Sequence, residues 1–506
     1  MRTITILTAL SLILASCSPK DKPVDPTPAP NPTPTPEPQP VVTYDAWTYT
    51  TKADGSQLFV EGGLNYLKTK PSEQLITLTD ETFQTVDGFG AALTVSSCFN
   101  LMKMSQENRT AFLKETFDPK EGAGSSLVRI AIGGCDFSWD YSHSSGGRFT
   151  WCDEKGIENF APHELDVEYV LPILKEVFAI NPDVKIIGSP WTAPRWMKLD
   201  ANLKESASAY SWTGGRLNPE YYADYGEYFV KWIQYFEKEG FPIYAVTPQN
   251  EPLNAGNSMS MLMPWEDCRD FIKKGLGPAL EKAGLKTKIL IFDHNYNYDD
   301  KSDQKSYPLK VYADEQASKY IAGSAWHNYG GKVSELDNIV KNAPDKEIYF
   351  TEASIGTWNY DFASCLITDF KDIFIGTLSR GGKGVTLWNL MLDEKKGPYT
   401  NFPGSCTTCF GASNIVSTSY TKVEHYSHWY QIAHASKVIR PGAVRIGTTG
   451  TVSGVDILVF RNPDNSYGAV MVNSSNDPRQ PSFVGKNHAV RCSVPAKSIV
   501  SLSWKD

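Results

Sequence analysis

No long run of basic residues occurs in the 506-residue chain, whose 49 Lys and Arg are outnumbered by 57 Asp and Glu to give a net charge of −8. A protein that binds nucleic-acid phosphates or an anionic membrane surface needs a local excess of positive charge, so the sequence argues against both partners. Charged residues make up 21% of the chain and hydrophobic residues 41%, which excludes a wholly disordered, collagen-like or coiled-coil protein.

Long apolar runs are also scarce, and the one candidate is Ile4–Ala15 near the start of the chain. A bilayer span needs roughly 20 residues, so this run fits a signal peptide better than a transmembrane helix. It ends in Leu14-Ala15-Ser16-Cys17, which resembles the bacterial lipobox. We expect a signal peptide over residues 1–16 and lipid attachment to the Cys17 thiol. An ordinary signal peptide followed by an incidental cysteine is the alternative.

Proline is concentrated behind this point, with ten in residues 18–40. Each proline fixes φ and removes an N–H donor, so neither a helix nor a central strand can form there. Residues 17–43 are therefore predicted to be an extended tether. The combination predicts an exported bacterial lipoprotein of the outer membrane that contacts the membrane only through its lipid anchor, with the membrane face left open.

Cysteine is sparse, with nine residues in the chain. Eight remain once Cys17 is assigned to lipid attachment. Cys406-Thr407-Thr408-Cys409 is half of a zinc ligand set with no second pair nearby, so no metal is expected. A local disulfide and two free thiols both remain open for this pair, because an exported protein can form disulfides. No other cofactor is expected.

Residues 86–435 alternate short apolar runs with amphipathic helical segments such as 167–179, 221–238 and 265–283. Eight buried strands alternating with helices are typical of a (β/α)8 TIM barrel. A doubly wound open sheet is the alternative fold, but no GxGxxG or Walker loop follows the early strands. The eight runs are Val86–Ala92, Leu127–Ile132, Val184–Ser189, Ile243–Pro248, Ile289–Asp293, Gly323–His327, Ile348–Glu352 and Gly384–Leu390.

The flanking segments, 44–85 and 436–506, contain short alternating strands separated by Asn, Asp and Gly turns. This pattern predicts an antiparallel β-sandwich. We expect residues 44–85 to complete the sandwich formed by residues 436–506. The predicted fold class is therefore α/β, a TIM barrel with an attached antiparallel β-sandwich.

A glutamate stands at the end of two of the eight runs: the fourth run is followed by Gln249-Asn250-Glu251-Pro252, and the seventh ends in Thr351-Glu352 before Ala353. Functional groups of a TIM barrel sit at the carboxyl ends of the strands, and strands 4 and 7 lie on opposite sides of the ring. Glycosidic bond cleavage needs one protonated carboxyl group to assist the leaving oxygen and one ionised group to attack the anomeric carbon. The pair predicts a glycosidase site, whereas one glutamate alone would indicate a salt bridge or a helix cap.

Seven motifs in the correct order resemble those of glycoside hydrolase family 30, a group of retaining TIM-barrel enzymes that includes glucosylceramidases and endo-β-1,6-glucanases. The similarity runs through most of residues 86–445. One departure is Ala91, which stands where the family's GFGGA segment has glycine. The motifs are Gly88–Thr94, Val128–Ile130 with Cys135–Ser138, Ser189–Lys198, Gln249–Pro252, Thr351–Ala353, Trp388–Leu390 and Ser436–Gly442.

The resemblance implies that Glu352 is the nucleophile and that Glu251 is the general acid and then the general base. Arg129 would keep Glu352 ionised, because a nearby guanidinium favours the carboxylate form. The charge on Glu352 would in turn raise the pKa of Glu251. Asn250 would donate a hydrogen bond to the sugar 2-hydroxyl. The implied substrate-binding residues are Asp136, Trp191, Asn250, His327, Tyr329 and Trp388.

Asp293 and His294 end the fifth run and have the appearance of half a metal site. No further ligands follow at metal spacing, so we interpret the two residues as structural. A metal-dependent barrel hydrolase is disfavoured for the same reason.

The fold and the catalytic pair do not select the sugar. A tethered exported enzyme meets environmental polysaccharide more readily than a sphingolipid. In addition, Gly397-Pro398-Tyr399 falls where glucosylceramidases carry Gly-Pro-Asn-Trp. We expect a β-glucan polysaccharide or oligosaccharide as substrate, with a β-1,6 linkage and endo action as the favoured hypothesis. A glucosylceramidase, a β-glucosidase, a xylan-active member and a non-catalytic glycan-binding lipoprotein are the alternatives, and the oligomeric state is left open.

Overall fold

The computed structural model describes residues 43–200 and 212–506 of the chain. Contacts divide the chain into Met1–Thr43 and Tyr44–Asp506, and the second unit contains every element named below. The predicted signal peptide over 1–16, the lipidation site at Cys17 and the tether as far as residue 42 lie outside the described residues. No helix within the described ranges is both long and apolar enough to cross a bilayer.

Strands dominate both ends of this unit, whereas strands and helices alternate in its middle. The strands are β1 (Ala46–Lys52), β2 (Val60–Leu64), β3 (Leu75–Thr85), β4 (Gly88–Ala92), β5 (Leu127–Ala131), β6 (Lys185–Ser189), β7 (Lys198–Leu199), β8 (Arg216–Leu217), β9 (Ile243–Val246), β10 (Lys288–Asn295), β11 (Ile321–His327), β12 (Glu347–Glu352), β13 (Gly382–Asn389), β14 (Met391–Asp393), β15 (Ser413–Ile415), β16 (Val423–His425), β17 (Val444–Thr449), β18 (Val455–Arg461), β19 (Ser466–Asn473), β20 (Ser482–Val484), β21 (Ala489–Arg491) and β22 (Ser498–Lys505). The helices are α1 (Val95–Lys103), α2 (Gln106–Phe117), α3 (Leu171–Ile180), α4 (Tyr222–Lys238), α5 (Trp265–Phe271), α6 (Gly277–Ala283), α7 (Tyr307–Tyr312), α8 (Glu315–Ser318), α9 (Glu335–Asn342), α10 (Phe362–Asp369), α11 (Gly376–Ser379) and α12 (Ser427–Val438).

Eight parallel strands close into a barrel in the order β10-β11-β12-β13-β4-β5-β6-β9, which confirms the predicted TIM barrel and all eight of its strands. Strands that follow one another along the chain are neighbours in the ring, because the intervening helices return the chain to the same end each time. Apolar side chains fill the middle of the barrel. They include Leu127, Ile187, Ala245, Leu290, Ala325 and Tyr349.

The long helix α4 packs directly against the barrel wall. Its Trp232 is fully buried, and a Cβ built on Gly188 of β6 would lie 2.8 Å from the Trp232 ring. Any larger residue at position 188 would push helix and strand apart, because protein interiors are close-packed. Glycine therefore sets the helix-to-strand distance just before β6 ends at Ser189.

Charged and phenolic side chains close the amino end of the barrel. Asp87 accepts hydrogen bonds from the hydroxyls of Tyr349 at 2.5 Å and Tyr244 at 2.9 Å. Glu347 accepts from the ammonium groups of Lys288 and Lys383, each at 2.7 Å. The charges at this end are thus paired with one another.

The terminal segments form one nine-stranded sheet in the order β2-β1-β22-β19-β18-β17-β3-β20-β21. As expected, residues 44–85 and 436–506 pair, through β1 with β22 and β3 with β17. The pairing of β20 with β3 is parallel, which the predicted antiparallel arrangement did not include. Every other pairing in this sheet is antiparallel.

Helix α12 connects the barrel to the sheet and runs through residue 435, where the sequence pattern changes. The ring nitrogens of its buried His434 are hydrogen-bonded to the hydroxyls of Ser501 in β22 at 2.9 Å and of Thr51 in β1 at 2.8 Å. Burial lowers the pKa of His434 to about 3, so the imidazole is neutral and can pair with two hydroxyl groups.

Candidate active site

The two glutamates meet at the carboxyl end of the barrel, Glu251 after β9 and Glu352 as the last residue of β12. Both are 6% exposed. One oxygen of Glu251, one oxygen of Glu352 and one ring nitrogen of His327 all lie within 4.8 Å of one another. Carboxyl groups of retaining glycosidases stand about 5–5.5 Å apart, against about 6.5–9.5 Å in inverting enzymes. The spacing therefore fits retention.

Arg129 of β5 is fully buried and holds the nucleophile side of the site together. Its Nη1 donates to Glu352 Oε2 at 2.5 Å, and its Nη2 donates to Asn250 Oδ1 and Asp293 Oδ2, each at 2.7 Å. Burial alone would lower the pKa of Arg129, but the charges of Asp293 and Glu352 raise it. The guanidinium therefore stays charged and favours an ionised Glu352.

Asn250 is fixed by the same contact. Because its carbonyl oxygen accepts from Arg129, its amide N–H₂ is the group left to donate to a bound sugar. This arrangement suits the role that the resemblance implies for Asn250.

Asp293 is the polar centre of the site, whereas the sequence analysis interpreted this residue as structural. Its two oxygens accept hydrogen bonds from five side chains. Burial acts to raise its pKa, but the charge of Arg129 and the contacts with His327 and Ser189 hold it well below the usual value. Phe292 and Asp293 both have positive φ, and the pairing of β10 with β11 shifts register between Phe292 and His294. Such a bulge re-aims a side chain. The donors are Arg129, Ser189, Thr247, His327 and Thr351.

His327 links this centre to Glu251. Its Nε2 lies 3.0 Å from Asp293 Oδ1, and its Nδ1 lies 3.4 Å from Glu251 Oε1. Burial would lower the pKa of His327, but the charge of Glu352 and the contacts with Asp293 and Glu251 raise it to about 9. A protonated imidazole therefore faces Glu251.

Glu251 departs from expectation, because its pKa is not raised. Burial acts to raise it, but the hydrogen bond with His327 and the electrostatic interactions with His294 and His327 lower it to about 2. Two side-chain amides also donate to its Oε2 at 2.8 Å, from Asn254 and Asn257. The acidic proton thus sits on His327, one contact away from the carboxylate that needs it.

The pKa of Glu352 is raised, in contrast to that of Glu251. Burial raises its pKa, and the charges of His327 and Arg129 oppose that rise. Tyr329 donates its hydroxyl to Glu352 Oε1 at 3.1 Å, so both carboxylate oxygens have a donor. The contacts hold the carboxylate in one orientation.

A cavity of about 310 Å³ opens above the two glutamates, at the lower end of the size range of small-ligand pockets. Trp191 and Trp388 line it and stack with ring centroids 5.2 Å apart. Asp136 and Tyr329 also line it, and Asn250 and His327 sit beside the glutamates. The structure thus brings together every residue that the resemblance implied. The cavity is also lined by residues that were not predicted from the sequence, namely Asn254, Asn257, Asn295, Ser354, Trp358, Cys406 and Cys409.

Comparison with known proteins agrees with this geometry. The model of the glycosyl hydrolase family 30 TIM-barrel domain matches residues 86–439, and that of the family 30 β-sandwich domain matches residues 442–502. An endo-1,6-β-D-glucanase, neg1 of Aspergillus fumigatus, is 31% identical over 411 residues, which are 77% of this chain and 79% of that protein. A putative glucosylceramidase 1 of Caenorhabditis elegans is 28% identical over 469 residues, or 87% and 83% of the two chains.

A solved structure, that of the endo-β1,6-glucanase BT3312, is 48% identical to this chain. It covers 91% of this chain and all of its own, with a TM-score of 0.87. The protein is a glycoside hydrolase and belongs to glycosyl hydrolase family 30.

Proposed function

We propose that this glycosidase is an endo-β-1,6-glucanase that works by double displacement with retention. The observation that carries the mechanism is the approach of Glu251 and Glu352 to within 4.8 Å. An inverting enzyme needs room for a water molecule between the carboxylate and the anomeric carbon, and this distance leaves none. Glu352 therefore attacks the sugar directly.

In the first step, Glu352 forms an ester with the anomeric carbon while Glu251 protonates the leaving oxygen. Arg129 and Tyr329 hold the carboxylate in line for attack. The proton reaches Glu251 from His327, which shares the contact at 3.4 Å. In the second step, Glu251 removes a proton from water, and the hydroxide breaks the ester.

The β-1,6 linkage is supported by similarity. The relatives that act on this linkage include the Aspergillus enzyme and the solved structure at 48% identity. The glucosylceramidase-like relative supplies the main alternative substrate, a glucoside of ceramide. A cleft lined by Trp358 at 50% exposure favours the polymer, because an exposed indole at the rim can stack on a further sugar ring.

Substrate choice is tested by incubating the protein with β-1,6-, β-1,3- and β-1,4-glucans, xylan and glucosylceramide. We expect oligosaccharides of several lengths from the β-1,6 polymer alone, released first as the β-anomer by NMR. Glucose as the sole product would contradict endo action. Cleavage confined to glucosylceramide or xylan would replace the proposed substrate with that alternative.

We also propose that the protein is exported and lipidated at Cys17. The support is the apolar run that ends at Leu14-Ala15-Ser16-Cys17 and the ten prolines that follow. Expressed in a bacterium fed a labelled fatty acid, the full chain is expected to carry label and to sediment with membranes. The Cys17→Ser variant should lose both properties, and a variant that keeps the label would refute the assignment.

A further inference from the structure

The turn Cys406–Cys409 forms part of the cavity wall. Its two cysteines are joined by a disulfide, which settles the question that the sequence left open. Both residues line the cavity together with Asp136 and Trp358. The turn belongs to the segment between β14 and β15, and this segment contacts the loops that follow the barrel strands β5, β9 and β12.

The first contact is with the loop after β5. The backbone N–H of Cys406 donates to Asp136 Oδ2 at 3.1 Å, and that of Thr400 donates to the Asp136 carbonyl at 2.8 Å. Burial raises the pKa of Asp136 to about 7, and the Cys406 N–H acts against that rise. The turn thus orients the carboxylate and favours the form that accepts hydrogen bonds from sugar hydroxyls.

The second contact is with the loop after β12. Cys409 pairs with Gly356 as an antiparallel bridge, and the N–H of Thr357 donates to the Thr408 carbonyl at 2.9 Å. A Cβ on Gly356 would collide with both the Trp358 ring and the Thr408 carbonyl. The turn and the Trp358 ring are therefore both packed against the position that a side chain at Gly356 would occupy.

The third contact reaches the loop after β9. Gly404 has a φ of +93°, and a Cβ on it would lie 2.0 Å from the carbonyl oxygen of Gly256. Gly256 lies between Asn254 and Asn257, whose amides donate to Glu251. Three sides of the substrate cavity thus meet at one short segment.

We propose that the turn closed by Cys406–Cys409 is a positioning element for substrate binding, which holds Asp136 and the Gly356–Trp358 wall in place around the sugar. The disulfide spans a sequence separation of only three residues. A loop that short gains little global stability from closure, so the effect of the bond is local. The inference rests on the glycosidase activity and does not depend on which glycan linkage is cleaved.

The test compares the wild type with a Cys406→Ser/Cys409→Ser variant on whichever polymer of the substrate panel the wild type cleaves. We expect KM to rise about tenfold, the scale of one hydrogen bond lost from a binding site, with kcat nearly unchanged. Asp136→Asn should raise KM as well. Combined with the double-serine change, it should raise KM by less than the two separate effects together, because part of the effect of the turn passes through Asp136.

The matched control is Cys365→Ser, which removes a free, partly buried thiol of α10 and should leave KM unchanged. If the double-serine variant does not fold, wild-type protein treated with a phosphine gives the same comparison. The phosphine and one water molecule convert the disulfide to two thiols and leave the phosphine oxide. An unchanged KM, or losses that add up with Asp136→Asn, would overturn the inference. A wild type inactive on β-1,6-glucan but active on another polymer would instead count against the linkage alone.

Discussion

Replacing Glu352 with glutamine is expected to lower kcat on the glycan by about 10⁴-fold or more, the scale of losing a covalent nucleophile. Glutamine has nearly the same shape but cannot form the glycosyl ester. Its neutral side chain also leaves the buried Arg129 with one carboxylate fewer. The measurement is the initial rate of release of reducing ends, together with glycan affinity by calorimetry.

The control for this variant is Glu347→Gln, at the opposite end of the same strand. Glu347 pairs with Lys288 and Lys383 at the amino end of the barrel, far from the sugar, so turnover should be nearly unchanged. Affinity should survive in the Glu352 variant. If the wild type bound glycan without turnover and Glu352→Gln changed nothing, the chain would be a binding protein.

Glu251→Gln is expected to lower kcat on the glycan by about 10²–10⁴-fold, the usual contribution of a general acid. Azide should partly restore turnover by attacking the glycosyl ester without a base, and the product should be a β-glycosyl azide. Failure of azide to increase the rate, or formation of an α-azide, would contradict the assignment of Glu251.

The pH profile supplies the second part of this prediction. Wild-type kcat/KM should fall as pH rises through about 9, because the proton shared by His327 and Glu251 is then lost. It should also fall in acid as Glu352, whose pKa burial raises, takes up a proton. In Glu251→Gln the alkaline fall should disappear, since no proton is transferred from that position. An alkaline fall that persists unchanged would refute the role of the pair.

The barrel could be predicted from the sequence because its strands are buried on both faces and read as continuous apolar runs. Glu251 and Glu352 could be predicted because each follows such a run. The role of Asp293 could not, because it depends on the bulge at Phe292 that turns the carboxylate inward. Its position at the end of the fifth run was the one available signal.

The lowering of the pKa of Glu251 could not be predicted from the sequence either. It depends on the distance to His327 and on amides from Asn254 and Asn257, which come from a loop with no periodic pattern. The parallel pairing of β20 with β3 was missed for a similar reason, since alternation within a strand does not report the direction of its neighbour.

The pairing of β1 with β22 has a consequence for biosynthesis. Thr48 of β1 lies opposite Leu502 of β22. Strand β1 therefore cannot form this pairing until β22 has left the ribosome, after the entire barrel has been translated. Contacts this distant along the chain form slowly and late. The nascent chain therefore carries the β1–β2 hairpin with one unpaired edge until β22 has been translated, and an unpaired strand edge is prone to pair with other chains.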